Sequence, residues 1–252
     1  MSKWSEWLNK LREKAASRGY TCDICGAELF DYPTHRICKE CDDLLVKNDG
    51  KTCPKCGRAT LSNGACLDCK SHLPQFTLAF SAFPYEGVAA QTVNAFKNGK
   101  RYLSWYFGET LAQKAVQTLS LQALQATEWL ILPVPLTANR QKERGYNQAE
   151  ELAYAMYRTL QKMGVECLYD TQTLIKRRDE HMQKHLSSKE RFENAEGAYH
   201  LHKRKFCRDK NILLIDDILT TGATGNACAK LLLNAGAKCV YLCTVAATPE
   251  RN

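Results

Sequence analysis

The chain has 252 residues, 44% of them apolar and 25% charged, with 35 Lys and Arg against 27 Asp and Glu. That is the balance of a globular protein able to build a core, and no low-complexity tract interrupts it. The longest run dominated by apolar residues, Cys239 to Ala247, is too short to cross a bilayer, and MSKWSEWLNKLREK lacks the apolar stretch of a signal peptide, so a cytoplasmic protein is expected.

At the N-terminus, Trp4, Trp7, Leu8 and Leu11 follow the i, i+3, i+4, i+7 spacing of one helix face, with Gly19 as a stop, which predicts an amphipathic helix within residues 1–19. Residues 20–74 are turn-rich and nearly free of aliphatic runs, so they need metal to organise them. Eight of the thirteen cysteines stand there as four Cys-x-x-Cys pairs: Cys22 and Cys25, Cys38 and Cys41, Cys53 and Cys56, Cys66 and Cys69. Each pair can occupy two corners of a tetrahedron, so two pairs complete one site, and the pattern predicts two structural Zn2+ centres in a reducing compartment. Consecutive pairing closes the shortest loops and is preferred; crossed pairing of the first pair with the third is the alternative. Gly26 and Gly57 follow the first and third pairs and supply the freedom a knuckle turn uses. The formal charge of +8 then falls, because two Zn(Cys)4 centres contribute about −4.

SHLPQFT, 71–77, reads as a linker or connecting strand, and over 75–252 strands alternate with amphipathic helices. The strands are LAFSAF, WLILPVP, a pair around TLIKR and GAYHL, NILLIDD and CVYLCTV. The helices are YLSWYFGETLAQKAVQTL, NQAEELAYAMYRTLQKMG and GNACAKLLLNAG. This pattern predicts an α/β fold: a mostly parallel twisted sheet flanked by helices, preceded by a small zinc-ribbon or zinc-finger module. Asn147 is the expected N-cap of its helix. Residues 171–210 hold eleven Lys and Arg against six Asp and Glu, which suits an anionic ligand or a solvated surface.

In NILLIDDILTTGATGNACAKLLL, Asp216 and Asp217 end a buried strand, and Thr220, Thr221, Gly222, Ala223 and Thr224 lead into a helix. Small residues let backbone N–H groups converge at the helix N-terminus, where the dipole also favours an anion. A phosphate suits that point. The two carboxylates would repel it but accept hydrogen bonds from vicinal hydroxyls, so together the segment describes a sugar phosphate. No P-loop or dinucleotide fingerprint is present.

ILLIDDILTTGAT resembles the phosphoribosyl-pyrophosphate (PRPP) motif of type I phosphoribosyltransferases. The resemblance implies that Asp216 and Asp217 hold the ribose hydroxyls and Thr220 to Thr224 the 5′-phosphate, with Mg2+ accompanying PRPP. The ensemble of four cysteine pairs, Pro133-Val134-Pro135-Leu136, Arg144-Gly145-Tyr146-Asn147-Gln148, and Gln183, Leu186, Arg191 and Asn194 is similar to the ComF/ComFC competence proteins. By that resemblance Val134 and Pro135 lie in the pyrophosphate loop, residues 177–194 form the loop that covers PRPP, and Lys97, in a turn before a helix, approaches the phosphates, with a solvated turn lysine as the alternative. Arg140 and Arg144 are near enough in sequence to counter the diphosphate charge, with a plain surface role as the alternative. The resemblance further implies a role in DNA uptake with single-stranded DNA and a partner ATPase or helicase, peripheral to the inner face of the membrane through those partners. An active phosphoribosyltransferase with an unidentified acceptor is the other reading.

Overall fold

The computed structural model describes residues 20–29, 35–61, 63–177, 195 and 197–250. The helix expected within 1–19, and Gln183, Leu186, Arg191 and Asn194, lie outside the described residues. Contacts divide the chain into two compact units, Met1–Leu45 and Val46–Asn252. The cysteine-rich stretch 20–74 is therefore shared between them, one tetrad in each.

The first unit pairs β1 (Tyr20–Thr21) with β2 (Glu28–Leu29) in an antiparallel hairpin and adds a short helix α1 (Lys39–Asp43). The second begins with a comparable arrangement, a Thr52 to Ala59 bridge followed by α2 (Leu67–Ser71).

Five parallel strands then form the sheet: β3 (Leu78–Pro84), β4 (Trp129–Pro133), β5 (Cys167–Tyr169), β8 (Asn211–Leu219) and β9 (Cys239–Ala247), in the order β3-β9-β8-β4-β5. The intervening helices are α3 (Gly87–Lys97), α4 (Leu103–Leu119), α5 (Leu121–Gln125), α6 (Ala138–Arg144), α7 (Gln148–Lys162) and α8 (Ala223–Asn234). A separate antiparallel pair, β6 (Leu174–Lys176) with β7 (Tyr199–Leu201), matches the expected TLIKR and GAYHL strands. The α/β architecture expected from the sequence is the one observed.

Leu130 and Leu132, Ile212 and Leu214, and Val240 and Leu242 join Ala229 and Leu232 of α8 in one buried cluster. The alternate residues Ile131, Leu213, Ile215 and Cys243 are equally buried and face the other side. Both faces are covered, which is why these strands read as continuous apolar runs.

Four of the strands and α-helices beyond residue 75 were not expected: α3, α5, α6 and β5. Helix α3 is short and its apolar stripe is thin, whereas β5 has three residues at the sheet edge, with Leu168 36% exposed. Lys97 is the last residue of α3, not a turn residue. β8 also runs past the acids to Leu219, because Ile218 and Leu219 still pair with Ala246 and Ala247 of β9. Its ladder with β4 does stop earlier, at Pro133 opposite Ile215. Asp216 and Asp217 thus stand where β8 loses one neighbour and keeps the other.

Order and connection fix where a ligand can sit. From β4 the chain continues to β5 on one side, and from β8 to β9 on the other, so the crevice between the carboxyl ends of β4 and β8 is the topological switch point of the sheet.

Candidate functional site

The loop after β4 forms one wall of that crevice. Val134 N–H donates to the Ile215 carbonyl at 2.8 Å, and Asn147 Nδ2 donates to the Val134 carbonyl at 3.2 Å. Asn147 is also the N-cap of α7, its Oδ1 accepting from Ala149 N–H at 3.1 Å. One side chain therefore starts the helix and pins the loop to it. Gln148 continues the network: its Oε1 accepts from Arg144 Nη1 at 3.0 Å, and its Nε2 donates to the Lys97 carbonyl at 3.5 Å. Val134, Pro135, Arg144 and Lys97 all line the crevice with Asp216 and Asp217. Arg140 is not among the lining residues; its Nη1 pairs with Glu143 at 3.2 Å on α6.

Opposite stands the loop from Thr220 to Thr224, which with Asp216 lines an adjoining cavity reaching under β9 to Thr244. Gly222 is the N-cap of α8 at φ +82°, a left-handed conformation that glycine adopts without a Cβ penalty. Beyond it, the first-turn N–H groups have no intrahelical carbonyl to bond and present donors to an anion. Asp216 and Thr224 line both the crevice and the adjoining cavity, so the acids and the loop border neighbouring spaces, as a diol and a phosphate on one molecule require.

Lys97 Nζ lies 3.1 Å from Asp217 Oδ2, a pairing of groups 120 residues apart that fixes the cation beside the acids. The Asp216 carboxyl is pushed from 3.8 up to about 7, first by loss of solvation and next by the Asp217 carboxylate, against the opposing Asp217 amide, Lys97 and Lys176. A carboxyl raised in the folded state costs stability progressively as pH rises from about 4 to about 7, and fully above that. Asp216→Asn should then raise the melting temperature of the ligand-free protein at about pH 8 and raise it less at about pH 6. An equal shift at both values would show that the penalty is not titrating.

Among the lining residues not singled out from sequence are Lys176 and Tyr199. They are partners in the β6–β7 register, with Lys176 Nζ 4.9 Å from the Tyr199 ring centroid. Their signal was positional. Both strands flank the segment expected to cover the ligand, so their last rung lies at its mouth.

The cysteines group consecutively, Cys22, Cys25, Cys38 and Cys41 in one tetrad and Cys53, Cys56, Cys66 and Cys69 in the other, each with all ligand atoms within 4.8 Å. Both tetrads repeat one local geometry. The glycine after the knuckle donates its N–H to the first cysteine's carbonyl at 2.9 Å, and Cys38 and Cys66 cap a short helix while donating N–H to Cys22 and Cys53 Sγ at 3.3 Å. The Sγ separations of 3.7 Å for Cys25–Cys38 and 3.6 Å for Cys56–Cys66 match the edge of ~3.8 Å that four Zn–S bonds of ~2.3 Å impose on a tetrahedron. The residues fit a metal ion of that kind. In the second tetrad a Cβ on Gly57 would lie 2.4 Å from the Ala79 carbonyl oxygen, so only glycine lets this knuckle sit against β3.

Residues 142–252 match the family described as phosphoribosyl transferase domain. Over a longer span the chain is 31% identical to the competence protein ComFC of Streptococcus pneumoniae, covering 80% of this chain and 83% of that protein. It is 27% identical to the competence protein ComFC of Bacillus subtilis, with 86% of each chain covered. The DNA utilization protein YhgH of Escherichia coli is 28% identical, with 82% of this chain and 88% of that one covered. Among the described residues, no helix is long and apolar enough to cross a membrane.

Proposed function

The chain belongs to the ComFC family of competence proteins, and from that premise we propose that it binds PRPP with Mg2+ at the switch-point crevice and serves DNA uptake. One observation carries the ligand: an acidic pair where β8 parts from β4, in a crevice that adjoins the cavity of a Thr-Gly loop at a helix N-terminus. In this reading Asp216 and Asp217 accept hydrogen bonds from the ribose hydroxyls. The backbone and hydroxyls of Thr220 to Thr224 hold the 5′-phosphate. Val134 and Pro135 border the diphosphate, with Arg144, Lys97 and Lys176 countering its charge. Lys97 would exchange Asp217 for the diphosphate as the ligand enters. Magnesium supplies charge neutralisation of the diphosphate, and an ionised Asp216 would gain a nearby cation.

The two tetrads are read as Zn2+ sites. The relatives' names, competence and DNA utilization proteins, support a DNA-uptake role, with single-stranded DNA and a partner ATPase as the expected partners. A salt titration of single-stranded DNA binding tests that part, since phosphate contacts weaken steeply with salt.

Calorimetry with PRPP and Mg2+ tests the ligand: one site per chain is expected without any base present. Absence of heat and of competition by pyrophosphate would sink the reading. Pyrophosphate release over a panel of bases, amines and ammonia then tells a binding protein from a transferase.

A further inference from the structure

Arg58 has no part in the crevice, yet it joins the second tetrad to the Thr220–Thr224 loop. It follows the Cys53-Pro-Lys-Cys56-Gly57 knuckle and is 5% exposed. Its Nη1 pairs with Asp68 Oδ2 at 2.8 Å, on the helix that bears Cys69, and its Nη2 donates to the Thr220 carbonyl. Among the described residues its Nε is buried without a hydrogen-bond partner. The segment just after the second tetrad contacts the loop and the helix it opens twice more. Gln75 N–H donates to Asn226 Oδ1 at 2.7 Å, and the Phe76 ring lies 3.9 Å from where a Cβ on Gly222 would stand.

We propose that the metal-loaded second tetrad, acting through Arg58 as a positioning residue, aims the Thr220–Thr224 loop at its phosphate, so that occupancy of the tetrad sets the loop's readiness to bind. The proposal rests on reading that loop as the phosphate cradle. Four thiolates on one dication leave a net charge of about −2, and a buried guanidinium needs such compensation to stay buried. Held there, it fixes the direction of the Thr220 carbonyl. All described peptides are trans, and across a trans peptide the C=O and the next N–H point opposite ways. Drawing the Thr220 oxygen toward the tetrad therefore turns the Thr221 N–H away from it, toward the crevice side of the loop.

The test uses the full chain carrying Arg58→Gln and, separately, Arg58→Lys, with metal content and amide hydrogen exchange read together. Arg58→Gln should keep two metal ions per chain and speed exchange of the amides within 220–226 about tenfold, the loss of one charge-assisted hydrogen bond, while β4 and β8 stay protected. Arg58→Lys keeps the charge but cannot span Asp68 and Thr220, and should restore part of the protection. Unchanged loop exchange with metal retained, or equal acceleration across the sheet, would overturn the proposal. Exchange is read without ligand, so a wild type that binds no PRPP removes the ligand reading and leaves this coupling to be judged alone. Calorimetry with PRPP and Mg2+ should show affinity about tenfold weaker in Arg58→Gln.

Discussion

Asp216→Asn combined with Asp217→Asn is expected to abolish measurable PRPP binding while leaving the protein folded. In the proposed reading each carboxylate accepts a charge-assisted hydrogen bond from a ribose hydroxyl, and such bonds are worth roughly 1.5–3 kcal/mol apiece. Two of them amount to roughly 3–6 kcal/mol, about two to four orders of magnitude in the dissociation constant. Folding should survive, because the pair brings cost with it: Asp216 is raised to about 7 by burial and by its acidic neighbour, and amides remove that charge. Lys97 loses its partner in the double variant, yet its side chain reaches a solvated crevice. Calorimetry beside a thermal melt measures both effects. Affinity within about threefold of wild type, with the melt unchanged, would show that the acids do not face the ribose. The same carboxylates that weaken the empty protein would hold the ligand, which is the usual opposition of stability and function at a site.

The acidic pair and its loop were legible because strand, acid pair, small-residue loop and helix follow one another in sequence, and local order carried the chemistry. The eight cysteines were legible for a similar reason, and their consecutive grouping followed from loop closure. What escaped was set by pairing between distant segments. That β8 continues to Leu219 depends on β9, which arrives twenty residues later. Lys176 and Tyr199 enter the crevice through a register between strands separated by more than twenty residues. Arg58 was not singled out from sequence, and only folding puts it against Thr220, 162 residues away. The edge strand Cys167–Tyr169 is too short to show a period of its own.

Cys66→Ser should do more damage than any other single change considered, and far more than Cys25→Ser. Metal binding at a structural cysteine site contributes roughly 10–16 kcal/mol to folding, as large as the roughly 5–15 kcal/mol by which a whole domain is stable. Cys66 is fully buried and lies in the same core cluster as Leu130, Leu214 and Leu242 of the sheet. Losing its thiolate would therefore unravel the knuckle at Gly57, release Arg58 from Thr220 and open a polar defect beneath β3. The expected result is an insoluble chain, or one without a cooperative melt and with at most one metal ion bound. Cys25 is exposed and belongs to the unit Met1–Leu45, so Cys25→Ser should lose one metal ion yet keep the cooperative melt of the sheet. Metal analysis and thermal unfolding of the two variants side by side decide the matter. If Cys66→Ser melted like wild type, the second tetrad would be an ornament on a self-sufficient core, and its grip on the Thr220–Thr224 loop would lose its physical basis.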